Sequence, residues 1–308
     1  MADTLDDLAR RGMVFRTKRG ETLEYRLPDA RFVFLRGYFW PGTEDEKTKA
    51  VARSVNRYYR DGFGDNWKHV HTKGLRAIPI NQTIGDPRKI LPYEDVIRFL
   101  DNQEIIAVAN CACRHRKSLD SEEPQCQHEK ENCLHFDTFA RYLVDNGLGR
   151  EISREEAGEI LTRAAEAGLV HGISNWQNGV DTICNCCKCC CVYLEAFHVL
   201  KHAKGMNHSN YEVETNHSTC SGCGLCVKRC PMRALNLEQS PDARNKKGKA
   251  PVLTPGVCIG CGVCVYKCPT GSITLIPRPE PDHPPTDRAE HRQRFLEERR
   301  AALGESDD

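Results

Sequence analysis

The sequence predicts an α+β chain in which bound metal, and not apolar packing alone, holds the fold together. Three observations lead there. Eighteen of the 308 residues are cysteine, far above ordinary usage. The hydrophobic fraction of 39% counts those cysteines, so the core available from ordinary apolar residues is modest. Runs of period two alternate with runs of helical period along the whole chain. The net charge of +1 offers no global attraction to nucleic acid or anionic lipid. No stretch reaches the roughly 18 to 20 apolar residues of a membrane span, so no membrane contact is expected. The acidic start, Met1 to Asp7, lacks an apolar export core, and Arg10-Arg11 is followed by none. These features predict a cytoplasmic, reducing setting, where crowded cysteines serve as metal ligands or redox groups rather than disulfides.

Four segments are expected: an N-terminal piece (1–90), a cysteine-rich domain (91–206), a C-terminal cysteine-repeat domain (207–277) and a flexible charged tail (278–308). Leu5, Leu8 and Ala9 give a short helix stopped by Gly12. Met13–Thr17 and Thr22–Leu27 then read as strands around Lys18-Arg19-Gly20. This helix and hairpin look like the end of a winged-helix domain without its preceding helices. With only a mild local excess of basic residues, nucleic acid is not an expected partner and a structural or docking role is preferred. Tyr93–Asn102 reads as a helix and Glu104–Ala109 as a strand delivering the first cysteine pair. Asn132–Asp145 reads as a helix capped by Asn132. Ser153-x-x-Glu156 is a capping box for a second helix ending at Gly168, with the two helices packed on each other.

The C-terminal domain repeats itself as strand, cysteine loop, short helix, strand. The loops are Cys220-x2-Cys223-x2-Cys226-x3-Cys230-Pro231 and Cys258-x2-Cys261-x2-Cys264-x3-Cys268-Pro269. Three thiolates on a tight loop reach three irons of one cubane, while a fourth carried off on a short helix reaches the other cluster. Gly222, Gly224, Gly260 and Gly262 let the backbone curl and turn amide N–H groups toward sulfur. Zinc sites more often pair two C-x2-C units, which makes iron-sulfur the preferred reading. Residues 238–249 form a long connection that is basic at its end, either solvated or a docking loop.

The doubled spacing resembles the bacterial two-cluster ferredoxins over about Tyr211–Ile276. The resemblance implies one [4Fe-4S] cluster on Cys220, Cys223, Cys226 and Cys268, and a second on Cys258, Cys261, Cys264 and Cys230. Such a module passes single electrons and contains no substrate pocket.

Ten more cysteines lie upstream: Cys111, Cys113, Cys126, Cys133, Cys184, Cys186, Cys187, Cys189, Cys190 and Cys191. Their crowding favours at least one further iron-sulfur cluster over zinc or plain core thiols. Were the run from Cys187 helical, Cys187, Cys190 and Cys191 would share a face. Were Cys184–Cys189 extended, Cys184 and Cys186 would point one way and Cys187 and Cys189 the other. Neither geometry gathers all six, so two centres, or one larger cluster with spare thiols, are expected. His115, His128 and His135 lie near the first group, with hydrogen bonding or exposure preferred over ligation. Arg114 and Arg116 flank Cys113 and either offset cluster charge or lie exposed. The ordered motifs Leu91-Pro-Tyr-Glu-Asp, Asn110-Cys-Ala-Cys-Arg-His, Cys133-Leu-His-Phe, Ser153-Arg-Glu-Glu-Ala, Ala167-Gly-Leu-Val-His and Ile183-Cys-Asn-Cys-Cys-Lys-Cys-Cys resemble larger iron-sulfur proteins of anaerobe type that end in a ferredoxin module. That resemblance implies one or two additional clusters without naming a reaction.

The expected function is electron transfer between a redox donor and a partner oxidoreductase. Two alternatives stand beside it: an oxidoreductase, or subunit of one, with a catalytic centre within Cys111–Cys191, and an iron-sulfur redox-sensing regulator. Phosphate-loop, dinucleotide and Ser-His-Asp constellations find no support.

Overall fold

The computed structural model describes residues 2–28, 30–64, 67–80, 95–202 and 204–304. The chain opens with α1 (Ala2–Arg10) and the antiparallel hairpin β1 (Phe15–Arg19) and β2 (Thr22–Arg26), as the local pattern predicts. Gly12 stops α1 with φ of +68°, and a Cβ there would stand 2.0 Å from the Gly37 carbonyl oxygen, so only glycine fits this approach. Next come α2 (Ala30–Leu35), α3 (Glu46–Tyr58), capped by the Asp45 side chain, and β3 (Leu75–Ala77). The expected Tyr93–Asn102 helix is seen as α4 (Val96–Asp101); residues 81–94, including most of the Leu91-Pro-Tyr-Glu-Asp motif, lie outside the described residues.

The cysteine-rich region contains β4 (Ile106–Asn110), α5 (Ala112–Ser118), β5 (Glu131–Phe136), α6 (Asp137–Asp145), β6 (Gly149–Ile152), α7 (Arg154–Glu166), β7 (Val170–Ser174), β8 (Thr182–Cys186) and α8 (Val192–His198). Its strands and β3 form one antiparallel sheet in the order β3-β7-β8-β5-β4-β6. Alternation assigns its two faces. Ile106, Val108, Leu134, Phe136, Ile173 and Ile183 pack with Ala157, Ile160 and Leu161 of α7 on one face. On the other lie Cys133, His135, Cys184 and Cys186, and Ala109 packs there with Tyr142 and Leu143 of α6.

Two expectations are corrected here. Asn132 is not a helix cap: it is a buried residue of β5, and α6 starts five residues later. Pairing of Leu134 with Ile183 and of Ala109 with Cys133 overrides the helical period of this stretch. The helices α6 and α7 do not pack on each other; the sheet lies between them. Ser153 does cap α7, with Glu156 N–H donating to Ser153 Oγ at 3.2 Å, while the Glu156 carboxylate accepts from Arg150; Gly168 takes φ of +77° beyond the helix end.

The C-terminal repeat gives β9 (Tyr211–Thr215), α9 (Leu225–Arg229), β10 (Leu235–Gln239), β11 (Lys249–Leu253) and β12 (Ile273–Pro277), with β9 paired to β12 and β10 to β11. The short helix of the second half is reduced to turns. Between β10 and β11 the loop folds back: Asn245 Nδ2 donates to the Cys220 carbonyl at 2.9 Å and Lys247 Nζ to that of Gly222 at 3.2 Å.

The tail, expected to be flexible, carries α10 (Arg288–Leu303). α10 buries none of its own side chains, but polar contacts hold the tail. Gln177 and Asn178 N–H groups donate to Pro285 and Thr286, Glu298 accepts from Thr72, and His291 Nε2 meets the Lys73 carbonyl at 3.0 Å.

Candidate metal centres

The C-terminal thiols are positioned by two tight loops and the strands behind them. Gly222 and Gly260, at φ of +65° and +68°, turn their N–H groups back to Cys220 and Cys258 Sγ, each at 3.4 Å. A Cβ on Gly260 would stand 2.0 Å from Ser209 Oγ, so the second loop lies directly on the start of β9. The structure brings Cys226 within electrostatic reach of Cys220, Cys223 and Cys268, and Cys261 within reach of Cys230 and Cys258. Cys264 faces Cys261, Cys230 and Cys258, and also Cys226 of the other set. Each group thus brings a thiol from one loop near those of the other. Cys220, Cys223, Cys226 and Cys268 line one cavity.

Burial separates the two sets. Cys223 is exposed and Cys220, Cys226 and Cys268 are partly covered, whereas Cys230, Cys261 and Cys264 are buried. Burial pushes the Cys226 thiol up to about 11. For Cys268 burial acts upward too, but hydrogen bonds from Thr270 and Ser272 outweigh it and bring the thiol down to about 7. The donor set therefore fits an anionic cluster: converging sulfurs, backbone N–H groups aimed at them, and no competing carboxylate lining the cavity.

The ten upstream cysteines divide into two groups. Cys126, Cys187, Cys189 and Cys190 converge so that their sulfurs all lie within 4.8 Å of one another. The other six, Cys111, Cys113, Cys133, Cys184, Cys186 and Cys191, line a second cavity together with Arg36, Trp40, His135 and Tyr193, and Cys187 and Cys190 of the first group reach its wall. Their contacts form a string: Cys113 to Cys111, Cys111 to Cys133, Cys133 to Cys184 at 3.8 Å, Cys184 to Cys186, and Cys186 to Cys191. Hydrogen bonds from their neighbours hold Cys111 and Cys184 well below the usual thiol range.

Neither regular geometry covers the whole 184–191 run. Cys184 and Cys186 share one side of β8, which ends there; residues 188–190 form a turn in which the Cys190 and Cys191 N–H groups donate to the Cys187 carbonyl, and this turn brings Cys187, Cys189 and Cys190 together while Cys191 lies with the other group. Arg114 and Arg116 are not exposed; each is 1% exposed or less. Arg114 Nε donates to Cys187 Sγ at 3.4 Å, and its Nη1 donates to Asn132 Oδ1 at 2.7 Å. Arg116 Nε donates to Asn56 Oδ1 at 2.8 Å, and its charge favours the Cys113 thiolate.

Sequence reasoning missed Arg36, 75 positions before Cys111. Burial opposes its charge, but Tyr193, Cys184, Cys113 and Cys133 more than compensate, holding it protonated. Among the described residues no carboxylate pairs with it. His135 is buried, with Nδ1 3.1 Å from Thr182 Oγ1, and its Nε2 has no hydrogen-bond partner. Burial, aided by Arg36, lowers His135 to about 4, so the ring is neutral near pH 7. His115 instead meets the Thr43 carbonyl, as the hydrogen-bonding reading had it.

No helix among the described residues is long and apolar enough to cross a membrane. Among curated proteins, none matches the chain. Residues 219–272 match the 4Fe-4S dicluster domain family, so the C-terminal module is a ferredoxin-like iron-sulfur unit built for [4Fe-4S] clusters, and the cysteine groups upstream leave room for further centres.

Proposed function

We propose that the chain is an electron-transfer protein of a low-oxygen pathway. In this reading the partly exposed set Cys220, Cys223, Cys226 and Cys268 meets a redox protein donor or acceptor. The inner set, with Cys230, Cys261 and Cys264 buried and Cys258 partly exposed, passes the electron inward to the upstream thiol cavity. The clusters supply the one-electron chemistry; the chain supplies the order in which they are reached.

One observation carries this reading. Cys230, Cys261 and Cys264 share a continuous buried core with Cys133, Cys184, Cys186 and Cys191, through Leu194, Met206, Tyr211 and Ile259. Across this junction His198 Nε2 meets the Pro231 carbonyl at 2.8 Å, and Arg229 donates to the Ala165 and Glu166 carbonyls at 2.9 and 3.2 Å. An inner cluster walled off from water on the side of a second thiol group suits transfer between them.

The test is anoxic purification of the full chain with iron and sulfide counts and electron paramagnetic resonance during reductive titration. About eight irons that reduce as two coupled centres are expected from the C-terminal module, and about four or more further irons from the six-thiol cavity. Redox-silent protein without iron would end the proposal.

A second reading, a catalytic centre in the same cavity, is favoured by Arg36 and His135. Arg36 and the unpartnered His135 Nε2 share a cavity with more thiols than the four a fully ligated cubane needs. Cyanide or azide added to reduced protein distinguishes the two: a shifted resonance marks an open iron, and an unchanged one a wire.

A further inference from the structure

The sulfur spacing differs among the four thiol groups. In the upstream tetrad Cys126 Sγ stands 3.8 Å from Cys187 and 3.5 Å from Cys189, and Cys189 stands 3.7 Å from Cys190. Tetrahedral thiolate ligands about 2.3 Å from one zinc ion lie roughly 3.8 Å apart. Among the described residues, neither C-terminal tetrad contains three sulfurs within 4.8 Å of one another, and neither does the six-thiol string. The two tetrads of the dicluster module thus serve as an internal standard for cluster spacing, and the upstream tetrad is contracted relative to it.

We infer that Cys126, Cys187, Cys189 and Cys190 hold a single tetrahedrally coordinated zinc ion. Four thiolates close the coordination sphere, the arrangement of a structural rather than a reactive site. The tetrad packs with Ala164 and Leu169 and borders the upstream cavity, which Cys187 and Cys190 help to line. It also has something to pin: residues 119–130 carry Cys126 without regular secondary structure, and the ion ties them to the turn after β8. The Arg114 guanidinium, donating to Cys187 Sγ, offsets the net negative charge of a zinc tetrathiolate.

The assignment does not depend on the electron-transfer reading and fails separately from it. Full-length protein made with ample iron and zinc, purified without oxygen, is expected to contain one zinc per chain. X-ray absorption at the zinc edge should show four sulfurs at about 2.3 Å. Cys126→Ser and Cys189→Ser should each lose the zinc while the iron and sulfide counts hold. Cys220→Ser should lose iron and keep zinc. Zinc below stoichiometry in the unaltered chain, a lone iron unaccompanied by sulfide in its place, or the loss of about four irons and four sulfides with Cys126→Ser would each overturn it. The absorption measurement on the unaltered chain decides the matter even if a variant fails to fold.

Discussion

Arg114 donates from Nε to Cys187 Sγ at 3.4 Å while standing three residues, about one helical turn, after Cys111, so one buried guanidinium touches one upstream thiol group and neighbours the other. Burial opposes its charge, but Cys111, Cys187 and Cys186 more than offset that. Its remaining N–H groups go to the carbonyls of Glu129 and Asn185 and to Asn132 Oδ1.

Arg114→Met should therefore act on both upstream groups at once. It leaves two buried acceptors and one partly buried carbonyl without a donor and removes a cation from between anionic sites, a loss of about 3 to 5 kcal/mol by analogy with broken buried pairs. Metal retained by the upstream groups should fall sharply, while the eight irons expected of the C-terminal module remain. Metal analysis after anoxic gel filtration checks this. Arg114→Lys should recover little, since an ammonium cannot span the same fork of acceptors.

The two C-terminal sets should differ in durability. Cys223 is exposed whereas Cys230, Cys261 and Cys264 are buried, so ferricyanide with a chelator should bleach the module in two phases. The fast phase, about half of its iron, should belong to the outer set. Cys223→Ser should abolish that phase and leave the slow one, followed by visible absorbance and iron release. A single phase would show that burial does not separate the two.

The Cys126 loop is also held by charge. Lys117 Nζ stands 3.1 Å from Glu123 Oε2 and 2.9 Å from Glu195 Oε2, all three side chains being at most 5% exposed, and Arg60 pairs with both carboxylates from the outer side. The two Lys117 contacts count as ion pairs by distance; neither is aligned as a hydrogen bond. Lys117→Met should cost about 3 to 5 kcal/mol, because it strands two carboxylates that Arg60 alone cannot neutralise. Accelerated proteolysis within residues 119–130 would register it, and the double variant with Glu123→Gln should recover part of the loss.

The cysteine chemistry was legible because spacing alone constrains a cluster. The glycines at 222 and 260 follow from loop geometry over a dozen residues, whereas the pairing of Cys230 and Cys268 with the opposite loop is what the resemblance to two-cluster ferredoxins implies. The shared side of Cys184 and Cys186 was equally local, being a property of the strand, whereas the turn beyond it sets Cys187, Cys189 and Cys190. What was not legible depends on the six-stranded sheet. Helical period in Asn132–Phe136 lost to pairing with β4 and β8, which turns Cys133 and His135 toward Cys184 and Cys186. Arg36 and Tyr193 meet in that cavity from segments with no common motif, so no local pattern announces them.

His208 gives the pH dependence of the joint between the cysteine-rich region and the C-terminal module. It lies just before β9 and beside Arg278, whose Nε donates to the Ser209 carbonyl at 3.1 Å. Burial, then Arg278 and Lys204, lower the imidazole to about 4, against 6.5 in the unfolded chain. The native state therefore holds the ring neutral where the unfolded chain takes up a proton. Its stabilising contribution is fully present above pH 6.5 and is lost as the pH falls toward 4. Because the ring is partly exposed, the loss should reach only about 1 to 2 kcal/mol, less than the full shift implies. His208→Gln should thus leave the rate of thermal cluster loss little changed at pH 7.5. At pH 5 it should slow that loss relative to the unaltered chain, measured anoxically by visible absorbance. If the two proteins decay in the same ratio at both pH values, the neutral imidazole is not what sets the acid sensitivity of this joint.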